Sequence, residues 1–480
     1  MRAQEQLQRL AIAELDGLDL GHKSREARAV ELMTELTKDP TRSIRGAART
    51  KAQEEAFYRL LSNDAVSMTA LLNPHIDSTK RRCASVGKVI LAHDTSNFEY
   101  RGGSREGLGR VRTKASQGFL FHASLAVDAG TGQPLGLVAS KVWVRSDEIN
   151  SVVQGANGPR KKSGGDYARD ASKESDRWVE QIQAAEELLS DAGCKALHVA
   201  DREADIYASL KTLCERNYSF VIRLSRDKKA RQTAAAPLEN LTTLARRAEG
   251  RTEVQAPIAK RAATTIPGRK KTFAEREART ARLEFAATSA TISAPQYGEG
   301  SLSINVVHVR ELEPPNPDEP IEWFLLTSEP VDTVEQVAQV VQAYRTRWII
   351  EEFFKALKTG CAMEDRELES LHTLTNVLAL CIPIAYQLLA VRHMARTQPD
   401  APASDVLSPT QIAILQAKTK LGTNPTAFQA LEAIAYLGSH FDPFSKKVPG
   451  WRVLSRGMQR LHALEEGWLA RDHAQKVIER

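Results

Sequence analysis

Cysteine is scarce in this chain of 480 residues: there are five, Cys83, Cys194, Cys214, Cys361 and Cys381. An odd number at wide spacing excludes a disulfide framework and a CxxC metal site, so they read as reduced, mostly buried thiols. Long apolar runs are missing too. No stretch approaches the roughly 20 apolar residues of a membrane span. The N-terminus, MRAQEQLQRLAIAEL, has amphipathic-helix spacing in place of a charged start, apolar run and cleavage site. A cytoplasmic protein with no membrane contact is expected. The eleven histidines form no HExxH or paired spacing, and neither a GxSxG elbow nor a GxxxxGK[ST] loop occurs. Zinc hydrolysis, acyl transfer by a serine and use of a nucleotide cofactor therefore lack support.

What is present is positive charge, unevenly spread. The net charge is only +6, yet residues 226–283 hold 15 Lys or Arg against 6 Asp or Glu, which leaves the rest of the chain slightly acidic. Residues 101–116 add five positives against one negative, and Arg160, Lys161 and Lys162 form a third cluster. Such segments suit a phosphate backbone; composition fits solvated loops equally well.

The length exceeds one hydrophobic core, so several domains are expected. Residues 1–70 read as a helical bundle broken at Asp39-Pro40. Its segment TRSIRGAARTKAQ sets Arg42, Arg45, Arg49 and Lys51 around a turn, either a DNA-reading helix pair or a charged surface. From about 71 three strands are expected in meander order (KVILAHD, FLFHASLAVDA, PLGLVASKVWVR), then a helix over DRWVEQIQAAEELLSDAG, the strand KALHVAD, a helix through ADIYASLKTLCERN and the strand YSFVIRLS. This is the order of an α/β, ribonuclease-H-like sheet. Residues 226–320 interrupt it as an inserted, mainly β subdomain. A long helix is expected from Thr333 to about Lys358, and helices from 371 onward with breaks near Pro399, Pro409, Pro425 and Pro443.

Asp94 closes the first apolar strand, sharing parity with Ile90 and Ala92, and Asp201 closes another after Leu197 and Val199. Strand ends are where open sheets place ligands, and the same positions suit turn formers and helix N-caps. At 100° per residue, Tyr344, Arg347, Glu351, Lys355 and Lys358 fall within roughly 80° on one helix face. Ile349, Phe353 and Leu357 occupy the other. That polar face gathers a carboxylate, cations and a phenol; a solvated face with an i,i+4 pair from Glu351 to Lys355 is the plainer alternative. Three carboxylates in a basic protein suit Mg²⁺, and two ions about 4 Å apart would serve in-line phosphoryl transfer.

At these residues the sequence closely resembles the DDE transposases of bacterial insertion sequences, in the group that includes the transposon-five transposase. ADREADIYASL carries that group's D-R-E-A-D signature at Asp201 to Asp205. Tyr344, Arg347, Glu351 and Lys358 match its Y-R-E-K spacing behind Asp94 in HDTSNFEY. Similarity continues through WFLLTSEPVDT and EEFFKALKTG and, more weakly, PGWRVLSRGMQRL.

The resemblance implies a cut-and-paste enzyme that nicks transposon ends, forms and opens a hairpin, and transfers strands into target DNA. Asp94, Asp201 and Glu351 would be catalytic and would bind two Mg²⁺, for which Mn²⁺ may substitute. Tyr344, Arg347 and Lys358 would hold phosphates. Arg223 in FVIRL would contact the transposon end, although LSRDKK after it departs from the family pattern. Trp323 would stack on a flipped base. Arg202 and Lys355, and the basic run Arg269, Lys270 and Lys271 in the insertion, complete the expected DNA contacts. The implied layout is a helical end-binding domain (1–70), a ribonuclease-H-like catalytic domain (71–370, insertion 226–320) and a helical C-terminal dimerisation domain (371–480). Partners would be double-stranded DNA and a second copy of the chain. The competing readings are a ribonuclease-H-like nuclease or resolvase that only hydrolyses, and an inactive DNA-binding repressor.

Overall fold

A computed structural model describes residues 13–111, 116–145, 152–155, 158–161, 176–250, 252–258, 264–265, 272–273, 275–293, 301–316, 320–438 and 449–478. The fold is mixed α/β and divides into two compact units, Met1–Lys195 with Trp348–Arg480, and Ala196–Arg347.

The first unit begins with helices Lys23–Lys38, Ile44–Ala47, Lys51–Leu61 and Met68–Val86. Ser43, Thr50 and Ser67 cap the last three by accepting from the backbone N–H three residues on, which satisfies donors that a helix start leaves open. The first helix stops at Lys38 because Pro40 drives Asp39 into extended backbone (φ −140°, ψ 90°). Strands β1 (Lys88–Tyr100), β2 (Gly109–Arg110), β3 (Gln117–Asp128) and β4 (Pro134–Trp143) follow, with a small hairpin of β5 (Val152–Gly155) and β6 (Gly158–Lys161). β3 pairs antiparallel with β1, from Val89↔Asp128 to Tyr100↔Gln117, and with β4 on its other edge.

One expectation needs correction here. Asp94 does not end its strand; β1 runs six residues further, and Asp94 lies mid-strand opposite Ala123. The apolar run ends at Asp94, but the buried partner β3 supplies backbone partners as far as Tyr100, and the buried Phe98 and Tyr100 continue the parity of Asp94.

The helix Leu371–Thr397 corrects another. By length and composition it could cross a membrane, contrary to the reading that no stretch approaches such a span, but 78% of its most apolar window is buried inside the protein. Helices Met68–Val86 and Ala427–Leu437, strand β4 and the segment Ala356–Gly360 all pack on it. A helix covered on every side is apolar all round. Pro409 starts the helix Pro409–Lys418, where its missing N–H costs nothing; Pro443 lies outside the described residues. All five cysteines are free thiols, four of them buried.

The helix expected over 333–358 is interrupted. Helix Val334–Thr346 starts from a capping box at Thr333 and Gln336, a tighter turn follows at Arg347 and Trp348, where Arg347 N donates to the Tyr344 carbonyl at 3.2 Å, and helix Ile349–Lys355 leads into a π-helical turn, Ala356–Gly360. The wider π turn takes Lys358 out of the 100° progression that the sequence reading assumed. Glu352 accounts for the anchoring of this stretch. Its carboxylate takes Lys355 Nζ at 2.8 Å and Trp451 Nε1 at 3.2 Å and also binds Arg392 Nη1. Burial pushes this carboxyl up, but Lys355, Arg392 and Trp451 more than offset it and hold it below its ordinary value.

The second unit is a sheet in the order β10-β9-β14-β15-β16-β8-β7. Its strands are β7 (Lys195–Ala200), β8 (Ser219–Arg223), β9 (Lys229–Arg231), β10 (Glu239–Asn240), β11 (Thr252–Ile258), β14 (Arg279–Ser293), β15 (Ser301–Leu312) and β16 (Glu322–Thr327), with a separate pair β12 (Thr264–Thr265) and β13 (Thr272–Phe273). β7 and β8 are parallel, joined by helix Tyr207–Glu215; the other pairs are antiparallel, and β11 pairs with β14. The long β14 and β15 of the 226–320 stretch extend the β8–β16 ladder outward. Helix Val334–Thr346 lies on β8, β14 and β15.

Removing one partner of a buried ion pair typically costs about 3–5 kcal/mol. Glu352→Ala should therefore unfold at clearly lower denaturant. Because its carboxyl is held low in the fold, Glu352 contributes stability above the ordinary carboxylate range and loses it as pH falls through the folded value. The deficit of the variant, measured by denaturant melts, should shrink on acidification.

Candidate functional site

Within the second unit, Asp201 follows β7 in extended backbone (φ −84°, ψ −166°) and caps the short turn Arg202–Ala204, its Oδ1 accepting from Glu203 N at 2.8 Å. The strand-end and cap readings thus describe the same residue. That is its one side-chain hydrogen bond among the described residues, and it leaves the other oxygen open to a ligand.

Asp205, at the end of the same motif, has its side chain fully buried. Lys228 Nζ lies 2.8 Å from Oδ1, and Oδ2 accepts from Ser225 N at 2.7 Å and Arg226 N at 3.4 Å. Burial raises its carboxyl despite Lys228 and the two amides. Asp205 thereby pins the turn that follows β8, just after Arg223.

Arg223 stands at the end of β8 opposite Leu325 of β16. Its Nη2 donates to the Glu322 carbonyl at 3.3 Å, and its guanidinium lies 5.9 Å from the centre of the Trp323 ring. Burial lowers its pKa, Tyr344 raises it through charge and a hydrogen bond, and the nearby Arg202 and Arg347 lower it again. Trp323 and Tyr344 meet with ring centres 5.5 Å apart at 60°. The Glu322 carboxylate is engaged elsewhere, binding Arg246 through two 3.0 Å contacts and His308 Nε2 at 2.9 Å. The arrangement suits an anion held by guanidinium groups beside an aromatic face, the chemistry of a phosphate with an adjacent base.

In the first unit, helix Ile349–Lys355 packs on β1, so the elements that carry Glu351 and Asp94 lie against each other. Asp94 Oδ1 accepts from Thr95 N at 2.7 Å, and Glu351 is half-buried. Lys355 does not form the expected i,i+4 pair with Glu351. It binds Glu352 at 2.8 Å and sits 5.4 Å over the ring of Trp348, since the buried Glu352 is the stronger local attractor. Lys358 Nζ lies 5.2 Å over the Phe98 ring of β1 and 3.3 Å from Glu364.

Asp94 and Glu351 therefore belong to the first unit and Asp201 to the second. Among the described residues, no three His, Cys, Asp or Glu side chains gather closely enough to hold a metal ion. The donors themselves are carboxylate oxygens, the type that Mg²⁺ and Mn²⁺ take.

Arg269, Lys270 and Lys271 lie outside the described residues. Around them, much of the basic stretch is already paired: Arg247 with Glu239, Arg282 with Glu253, and Arg279 with Glu311. Near the N-terminus Arg42, Arg45 and Arg49 pair with Asp39, Glu54 and Glu35, while Arg45 stays 81% exposed. The sequence reading assigned no role to Asp205, Glu322 or Glu352. The one local signal for Glu352 is the doubled acid at 351–352.

Residues 173–388 match the transposase DDE domain, and residues 8–66 match a transposase DNA-binding domain. The first span contains Asp201, Arg223, Trp323, Tyr344, Arg347, Glu351 and Lys358, while Asp94 precedes it; the second contains Arg42, Arg45, Arg49 and Lys51. Among solved structures the chain is similar to a piggyBac transposase synaptic complex with hairpin DNA, determined by cryo-EM. The identity is 12% and the TM-score 0.34, over 92% of this chain and 71% of that one, a likeness too distant to bear on chemistry.

Asp205→Ala would leave Lys228 and two amides without their shared acceptor. A loss of about 3 kcal/mol is expected from the broken buried pair, read as a lower denaturation midpoint. The indole emission of a variant whose other tryptophans are replaced by Phe should report a loosened setting for Trp323.

Proposed function

From a chain that carries a transposase DNA-binding domain ahead of a transposase DDE domain, we propose a cut-and-paste DNA transposase of the bacterial insertion-sequence type, working on a ribonuclease-H-like core. The observation that carries this reading is the cluster of Arg202, Arg223, Arg347, Tyr344 and Trp323 in the unit that holds Asp201.

In this reading Asp94, Asp201 and Glu351 would hold two Mg²⁺, or Mn²⁺ in their place, which when bound activate the attacking oxygen and stabilise the leaving one. The arginines and Tyr344 grip the phosphates on either side of the reacting one, and Lys355 and Lys358 add positive charge along the same strand of DNA. Trp323 offers its ring to a base turned out of the helix. Four displacements at phosphorus follow in turn. Water cuts one strand at the transposon end, the freed 3′-OH attacks the opposite strand to make a hairpin, water opens the hairpin, and the 3′-OH attacks target DNA. Each exchanges one oxygen nucleophile for another at the same kind of centre, so one set of residues serves all four. The helical residues 1–70 bind the ends, residues 71–370 do the chemistry and residues 371–480 join two copies.

Asp94→Asn, Asp201→Asn and Glu351→Gln should each abolish nicking and joining of DNA bearing the terminal repeats, in Mg²⁺ or Mn²⁺, while binding of the ends stays near normal. A variant that keeps near-normal cleavage removes its residue from the triad. Products limited to hydrolysis in the parent protein would favour the nuclease reading instead.

Trp323→Ala should stop the pathway later. Turning a base out costs a few kcal/mol, and stacking on an aromatic ring returns about 1–3 kcal/mol. Nicked DNA should accumulate while hairpins fail to form, and pre-cleaved ends should restore much of the joining. Hairpins at the normal rate, or loss of nicking and end binding together, would return Trp323 to an ordinary packing role.

A further inference from the structure

The two faces of β1 differ. Asp94 is on one; its neighbours His93 and Thr95 point to the other, between β3 and helix Arg177–Ser190, where polar side chains form a buried chain. Thr95 Oγ1 accepts from Arg177 Nε at 3.1 Å and lies 2.9 Å from His122 Nδ1. The Arg177 guanidinium is sandwiched at 5.2 Å from Trp143 and 5.3 Å from Trp178, and the His122 ring meets Trp178 edge to face at 4.7 Å. Having accepted from Arg177, the hydroxyl keeps a proton and a second lone pair with which to meet His122 Nδ1. Burial first, then the charges of Arg177 and Lys141, push this imidazole down to about 3, in keeping with a neutral ring.

Stability does not account for this chain of polar groups. His122 is fully buried, and its Nε2 has no hydrogen-bond partner among the described residues; the Trp143 and Trp178 indole N–H groups share that condition. Leaving such groups unmet in the interior is costly, and an apolar residue at 122 would avoid the first of them. What the chain does is hold the Thr95 side chain from the face of β1 opposite Asp94. The N–H of that residue donates to Asp94 Oδ1 at 2.7 Å.

We propose that Thr95, Arg177 and His122 are positioning residues that aim the Asp94 carboxylate toward its metal through the Thr95 N–H. The inference rests on Asp94 being a metal ligand. Groups that orient a ligand typically change metal affinity or activity 10–100-fold when removed.

The test compares Thr95→Val, Thr95→Ser, Arg177→Met and Asp94→Asn in the full-length protein bound to end DNA. Mn²⁺ binding is titrated by the electron paramagnetic resonance signal of the free ion, alongside the Mn²⁺ concentration that half-saturates nicking, end binding and thermal melting. Thr95→Val and Arg177→Met are expected to bind Mn²⁺ about tenfold more weakly and to need correspondingly more for nicking. Both should approach the parent rate at saturation and keep end binding, while Thr95→Ser restores parent affinity at any melting temperature. Parent Mn²⁺ affinity in Thr95→Val and Arg177→Met would overturn the proposal, as would equal loss in Thr95→Ser. If Asp94→Asn itself keeps Mn²⁺ binding and cleavage, it is the ligand reading of Asp94 that fails, a separate outcome.

Discussion

The pairing of β1 with β3 is the constraint on which the first unit depends. Twelve successive partners, from Val89↔Asp128 to Tyr100↔Gln117, fix the register along the whole of β1. A slip of one residue would exchange its two faces. Asp94 would then go under helix Arg177–Ser190, and Thr95 would face helix Ile349–Lys355. The aromatic pair Phe98 and Phe119, stacked with centres 5.2 Å apart, and the hydrogen bond from Tyr100 to the Met363 carbonyl resist that slip. The Tyr100 bond also ties the strand to the segment just beyond Glu351 and Lys358.

Charge is managed differently in the second unit. Several of its arginines have a carboxylate partner. Arg246, Arg247, Arg279 and Arg282 are neutralised by acids on neighbouring strands and loops. Arg223, with Arg202 and Arg347 near it, is held by a carbonyl, a phenol and an indole face. Asp205 fixes the turn after β8, just past Arg223.

Adjacent glutamates show how far local sequence reaches. Glu351 and Glu352 are indistinguishable by composition and lie one position apart. One helix step of 100° leaves Glu351 half-buried and takes Glu352 to Arg392 and Trp451. The face on which each falls could be projected from the sequence. That Glu352 would find Arg392 and Trp451, 40 and 99 residues away, could not.

Elements whose cause is local were therefore legible: the helix start at Thr333, the stop before Pro40, and the strand periodicity that sets Asp94 in parity with Ile90 and Ala92. Their information lies in spacings of two to four residues, which backbone geometry translates directly into caps, turns and faces. The signature spacings around Asp201 and Glu351 were legible for the same reason. The extension of β1 past Asp94, the turn at Arg347 and Trp348, the π turn under Lys358 and the burial of the apolar helix Leu371–Thr397 were decided only by tertiary structure. So were the linkages from Thr95 to His122 and Arg177 and from Asp205 to Lys228. Each depends on a partner distant in sequence, and which partner is met is settled by packing and strand register, not by any period the chain carries.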